Sequence, residues 1–403
     1  MKRIALLWSA MVIALTVGCS SLADPLRGTM TQTAEDSREI ESARAGAETW
    51  LQLQRFDDGD SDPSLAILSY PDGPPQLDER TYLYDQALAI LWFTWRGDHE
   101  TARQLTRTLL ALQLENGAWG FSFQAREGGF YDADYLRTGA VAWAGWALRY
   151  YARQTGDDHV LDAARRARGF IAGTRIDGAD APLRGLYAAG VGYGDPESGE
   201  RTLGVPVEFV ATEHQLDAHM FFRAFDNGPA DRLEERILEV LWLDDEGRFA
   251  MGATPRQLDR RRALDAAGGW GALWLLSIHR PELAKASLDY TLEHFPADGA
   301  SVSGGFVPYL DEVDGYQLDD PLIFVEGSLG VGLAALRLGS PEITARTLTM
   351  AARLADAGHS GIPYANQSRA DFHALPAAAS TLWFLMVERE FTTGEQAPVF
   401  LPF

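Results

Sequence analysis

Two kinds of hydrophobic pattern alternate along this chain. In the first, apolar residues recur at helical spacing with Arg and Glu opposite them, at about 35–54, 98–114, 157–172, 229–243, 281–295 and 341–357. Such amphipathic stretches predict surface helices with one wet side. The second kind is apolar nearly all round once its first residues are passed. It comprises "DQALAILWFTW" from Asp85, "TGAVAWAGWALRYY" from Thr138, "EHQLDAHMFFRAF" from Glu213, "DAAGGWGALWLLSI" from Asp265, "EGSLGVGLAALRL" from Glu326 and "AAASTLWFLMVE" from Ala377. A helix without a wet face has to be surrounded by protein. Six enclosed helices alternating with six surface helices therefore predict an all-α protein, an (α/α)6 barrel of six helical hairpins with an inner and an outer ring.

Loop lengths give that barrel a direction. Pro341 after Ser340, Gly97-Asp98 and Gly156-Asp157 punctuate helix starts and stops. An inner helix passes to the next outer one in a few residues, such as Arg96-Gly97 or Arg280. The return from outer to inner takes about 20 to 40 residues, most between Gly173 and Thr212, with another long stretch between Pro296 and Val325. Long loops in compact domains are uncommon and usually functional. All of them fall where the inner helices begin, and that end also receives Asp85, Arg137, Glu213, Asp265 and Glu326. One face should hold both loops and chemistry, and the other only short turns.

Ahead of the barrel lies a different pattern. Lys2-Arg3 precedes a short apolar run, Ile4 to Val17, too short to span a bilayer. It ends in Thr16-Val17-Gly18-Cys19, and Cys19 is the only cysteine. Residues 1–18 resemble a bacterial lipoprotein signal peptide, with cleavage before Cys19 and lipidation of its thiol; Thr16 stands where that motif usually has Leu. Residues 19–34 read as a tether and 35–403 as one barrel domain. The resemblance implies a lipid-anchored protein of the bacterial cell envelope, in the outer membrane facing the periplasm or at the cell surface, its N-terminal anchor in the membrane. No disulfide can form, so the core must stabilise the fold unaided.

Charge narrows the partners. Cleavage would leave 33 basic against 57 acidic residues, a net charge of −24, which argues against nucleic acid and anionic membrane surfaces. Lys occurs only at Lys2 and Lys285, so the positive side is Arg.

Candidate chemistry sits at the inner-helix starts. Thr212 reads as an N-cap with Glu213 first in the helix, and Glu213 and Asp217 are four apart, so both carboxylates share a face. Burial and a like charge both raise a carboxyl pKa, as a general acid near neutrality requires. Asp85 and Glu326 open two further inner helices and could partner Glu213 across the mouth, although helix-terminal carboxylates also occur for the dipole alone. Asp265 is a weaker candidate because Arg260, Arg261 and Arg262 offer it plain salt bridges. His214 could orient a carboxylate or a hydroxyl, while His219 reads as interior; their spacing suits no zinc site. Asp58, Asp60 and Asp62 alternate as in a calcium loop, but Pro63 stands where that loop needs Gly, so neither metal nor cofactor is expected. Tyr84, Trp119, Tyr135, Trp270, Tyr309 and Tyr364 could pack on a ligand, and Arg137 and Asn366 could bind hydroxyls or carboxylates. Gln113, Gly117 and Trp119 match a triterpene-cyclase Q-W repeat once, without its acid motif, and read as a packing device.

With the hairpin pattern and the phrases "YDQALAI", "RTGAVAW" and "TEHQLDAHMFF", the chain resembles the six-hairpin glycosidase-like proteins, the (α/α)6-toroid group of glycoside hydrolases and related sugar enzymes, over roughly residues 35–403. The resemblance implies a carbohydrate substrate across the barrel rim, with paired carboxylates at inner-helix starts. The expectation is a glycoside hydrolase for an oligo- or polysaccharide, with Glu213 or Asp217 as proton donor and Asp85 or Glu326 as base or nucleophile. A non-catalytic polysaccharide-binding or export lipoprotein and a sugar epimerase or lyase are the alternatives, since one fold hosts many activities.

Overall fold

The computed structural model describes residues 34–401 apart from 58–64, 72, 75–76, 78, 126–128, 132, 179–180, 195–200, 226, 312–315, 317–319, 356–360 and 370. Cys19, the segment before it and the Asp58–Asp62 alternation lie outside the described residues.

Six inner helices form a closed ring: α2 (Leu83–Trp95), α4 (Thr138–Thr155), α6 (Thr212–Arg223), the pair α8 (Leu264–Ala267) and α9 (Gly269–Ser277), α11 (Val325–Arg337) and α13 (Ala378–Thr393). Each packs on the next, and α13 returns to α2. The outer ring is α3 (His99–Leu112), α5 (Leu161–Gly173), α7 (Asn227–Leu241), α10 (Pro281–His294), α12 (Pro341–Leu354) and the N-terminal α1 (Ala34–Leu53), which packs on α12 and α13 and so supplies the last hairpin's partner. This is the expected (α/α)6 barrel. Trp143, Trp274, Trp383, Phe221 and Phe384, all from inner helices, are among its largest enclosed side chains. The ring closes tightly because one residue has no side chain: a Cβ on Gly145 of α4 would stand 2.3 Å from the Phe221 ring of α6.

One device repeats six times around the mouth. The residue before each inner helix is extended, with no side-chain cap, at Tyr82, Arg137, Ala211, Ala263, Phe324 and Ala377. Five of these junctions pair with the loop that leads to the following inner helix: β-strand Arg80–Tyr82 with Ser122–Gln124, Leu136–Arg137 with Gly190–Gly194, Val210–Ala211 with Gly252–Ala253, Ala263 with Tyr309, and Phe324 with Ala365. The sixth closes the circle, the Ala378 amide donating to the Ser69 carbonyl. Buried amides reinforce the collar. Gln215 bonds both the N–H and the C=O of Tyr187, and Gln86 holds Ile67 and Leu65 in the same way.

Three sequence expectations change. Thr212 is not the N-cap: Ala211 is, and Thr212 is the first helical residue, its hydroxyl donating to the Ala250 carbonyl at 2.6 Å. The inner helix expected to run on from Asp265 breaks at Gly268, whose backbone (φ −125°, ψ −84°) leaves the helical region. A Cβ at Gly268 would meet Thr291 Oγ1 at 2.4 Å, so the break sits where two helices press together. Finally, the far end of the barrel is more than short turns. Residues 396–401 fold beneath it, where Arg337 binds Glu390 and donates to the carbonyls of Ala397, Val399 and Phe400. Phe400 then meets Trp143 edge-on at 5.9 Å, flooring the central well.

Candidate active site

Five carboxyl groups from four inner helices reach one basin inside the collar. Asp85, Glu213, Asp265 and Glu326 each stand in the first turn of their helix, α2, α6, α8 and α11, and Asp217 lies one turn deeper in α6. The first turn is where a negative group meets the partial positive end of the helix dipole. Helices that begin on a common rim therefore bring residues distant in sequence to one place.

Burial dominates the electrostatics. Asp85, Asp217 and Glu326 are almost fully buried, while Glu213 and Asp265 are partly exposed above them. Burial pushes the Asp85 carboxyl up to about 7, and a hydrogen bond from Ser69 pulls it part of the way back. Burial takes Glu326 up to about 8, helped by the charges of Asp85 and Glu213 and opposed by the Tyr84 hydroxyl. Asp217 is raised well above its ordinary value by burial and by Glu213, with Trp143 opposing. Asp265 rises by burial and by the charges of Glu213, Glu326 and Asp217, and burial raises Glu213 too. At neutrality a carboxyl near 8 holds its proton and one near 7 is about half protonated, which fits Glu326 to a proton donor better than to a base.

The predicted arginine partners of Asp265 are spent elsewhere, which corrects its low standing. Arg260 pairs with Asp245 and Glu246, Arg261 with Asp259 and Arg262 with Asp311. Asp265 Oδ1 is buried with no hydrogen-bond partner, and so is Asp217 Oδ1. His214 donates from Nδ1 to the Ala189 carbonyl at 3.0 Å, because a carbonyl can only accept. Burial, with Arg137 adding repulsion, takes its pKa down to about 4, so the ring is neutral and Nε2 is left as an acceptor. His219 is interior, accepting from the Trp274 indole at 3.0 Å.

A cavity of about 210 Å³ opens on this basin, lined by Glu213, Asp265, Tyr309, Phe324, Tyr364 and Phe372 with Leu264, Met251 and Pro308. Phe372 stacks on Tyr364 at 5.7 Å, forming an aromatic wall. The volume lies below the ~300–1,000 Å³ of drug-sized sites and suits a single small ring. A larger hollow of about 810 Å³ runs along the outer wall between α10 and α12, away from these carboxyls.

The other expected contacts divide. Tyr309 and Tyr364 line the cavity. Tyr84 lies deeper, donating to Glu326 Oε1 at 2.8 Å and accepting from the Trp383 indole at 2.7 Å. Arg137 lies over the Tyr135 ring at 3.3 Å, and its Nη1 donates to the carbonyls of Gly192 and Leu136. Three of the expected side chains are engaged within the protein. Trp119 is wholly buried with its indole on the Leu109 carbonyl, the packing role its repeat suggested. Trp270 is buried against Trp383 at 4.9 Å. Asn366 spends its amide on Ile323 and Pro321 as a loop latch. Ser69, Tyr70, Trp143, Trp383, Phe372 and His373 were not singled out. The tryptophans read as core inside apolar helices, and the others lie in loops without periodicity.

No family model and no curated protein matches the chain. Solved structures do. A D-mannose isomerase superposes with a TM-score of 0.66 at 14% identity, over 91% of this chain and 100% of that one. A wild-type glycosidase gives 0.60 at 15%, over 92% and 100%. Cellobiose 2-epimerase from Bacillus thermoamylovorans B4167 gives 0.60 at 12%, over 88% and 98%. At such identities the likeness carries the fold and leaves the chemistry to the site. With its inner ring closed and its collar complete, the chain has the (α/α)6 toroid fold of the six-hairpin glycosidase-like proteins.

Proposed function

We propose that this protein is a sugar-processing enzyme of the bacterial cell envelope, tethered through Cys19, and that its reaction is glycoside hydrolysis. The observation that carries this reading is the convergence of protonated and ionisable carboxyls on one aromatic-walled cavity. Glycosidases need one carboxyl to protonate the leaving oxygen and a second to act as base or nucleophile. Glu326, its carboxyl up near 8 and one oxygen fixed by Tyr84, suits the proton donor. Glu213, raised by burial alone and lining the cavity, suits the base or nucleophile. Tyr364 and Phe372 would stack on the sugar ring, whose C–H faces match aromatic planes. That a glycosidase shares the fold over most of both chains adds support.

The test is release of reducing ends from a glycan panel by protein truncated before Ser20. Glu326→Gln and Glu213→Gln should each lower the rate by at least about 100-fold with helicity unchanged. Full activity in both variants would refute the assignment. A second reading, sugar isomerisation or epimerisation, draws on the neutral His214 with Nε2 unprotonated, a poised base for a carbon-bound proton. Isomerised product without new reducing ends would select it.

A further inference from the structure

Hydrolysis uses two carboxyls, and the basin holds five. Arginine forks would mark a site for acidic sugars, but here Arg137 turns Nη1 to two backbone carbonyls, and Arg260, Arg261 and Arg262 pair with other acids. No described Arg or Lys offsets the charge on any of the five carboxyls. Two buried oxygens, Asp217 Oδ1 and Asp265 Oδ1, have no donor in the structure. Buried polar atoms are almost always satisfied, so the orphaned Asp265 Oδ1, on a residue that lines the cavity, is completed by what occupies it, and Asp217 stands one helical turn below Glu213 on the same basin.

We propose that the basin binds an amino sugar, its ammonium held by Asp217 and Asp265. An ammonium brings three donors and no acceptor, matching a site that offers acceptors in excess. It also relieves the mutual repulsion among Glu213, Asp217, Asp265 and Glu326, and the net negative chain attracts it from solution. An N-acetylated or hydroxyl-bearing counterpart supplies donors but no charge. The inference rests on the basin being the working site, as proposed above, but not on hydrolysis.

The experiment is calorimetric titration of the truncated protein with glucosamine and galactosamine, and with oligomers of glucosamine. Each is set against its N-acetyl and neutral counterpart, in two buffers of different ionisation enthalpy. The amino form should bind at least about tenfold tighter, keep that preference at about 1 M salt, where the screening length is about 3 Å, and release protons as carboxyls ionise. Asp265→Asn should lower the ratio of amino-form to neutral-form affinity by at least about tenfold. Equal or weaker binding of the amino form, no binding of any amino sugar, or a preference lost at high salt would overturn the inference. Amino-sugar binding without reducing-end release would keep it and defeat the hydrolase reading; neutral-glycan hydrolysis without amino-sugar binding would do the reverse.

Discussion

Tyr84 and Glu326 stand 242 positions apart in sequence and share a 2.8 Å hydrogen bond at the bottom of the basin. The Trp383 indole can only donate, and it donates to the same Tyr84 oxygen at 2.7 Å, while the phenol donates to Glu326 Oε1. In this arrangement a proton carried by Glu326 sits on Oε2.

Replacing Tyr84 by Phe removes the donor that favours the charged form of Glu326, so that carboxyl should rise further above about 8. The alkaline limb of the pH–rate profile should move to higher pH, with the rate down by about tenfold. The stranded Trp383 N–H should cost about 1–3 kcal/mol. An unmoved alkaline limb in an active variant would show that Glu326 does not set it.

Gly139 tests the crowding around the other carboxyl. A Cβ there would lie 2.5 Å from His214 Cδ2 and 2.8 Å from Asp217 Oδ2. Gly139→Ala should push both side chains from their places and lower activity by at least about tenfold, while overpacking costs roughly 1–3 kcal/mol. Wild-type activity in this variant would mean that His214 and Asp217 are bystanders.

The clasp beneath the barrel is structural. Arg337 and Glu390 are both nearly buried, and Arg337 also serves three tail carbonyls. Arg337→Ala leaves Glu390 uncompensated and should destabilise by about 3–5 kcal/mol, read as a lower urea midpoint with an unchanged slope. Arg337→Ala combined with Glu390→Gln should recover part of that loss, which a purely steric defect would not.

The barrel was legible because its signal is periodic and repeated six times. Apolar inner helices, wet outer helices and unequal loops together admit few other arrangements. Asp85, Glu213 and Glu326 were legible as polar residues at apolar helix starts. What escaped the sequence depends on meetings between distant loops. Ser69 reaches Asp85, and Phe372 reaches Tyr364, through loops with no period. Asp265 was undervalued because adjacency made Arg260–Arg262 look like its partners, whereas the short strand Leu258–Asp259 and the loop after it turn them toward Asp245, Glu246, Asp259 and Asp311. Trp119 misled in the opposite direction: a large aromatic in a glycine-rich loop can anchor that loop as well as a ligand.

The N-terminal expectation has its own test. If Cys19 carries the lipid, Cys19→Ala should move the protein from the membrane fraction to the soluble fraction, and the unaltered chain should incorporate labelled fatty acid. Among the described residues no helix is long and apolar enough to cross a membrane. Continued membrane fractionation of the variant would refute an anchor at this cysteine.

The raised carboxyls also tie stability to pH with a definite sign. Asp85 titrates near 7 when folded and near ~3.9 in an unfolded chain. Below the lower value both states are protonated and the group costs nothing. As pH rises from about 4 to 7 the unfolded chain ionises while the folded one resists, so stability falls across that window and levels off above it. Asn keeps the size and can still accept from Ser69 but has no charge to desolvate. Asp85→Asn should therefore match wild type near pH 4 and exceed it by on the order of 2–4 kcal/mol above pH 7, measured by urea unfolding at four pH values. If Asp85 also serves the reaction, the more stable variant will be the less active one, as expected where a site holds buried charge at the expense of the fold. A stability difference that is flat with pH would show that Asp85 is ordinarily solvated and not held in a dry basin.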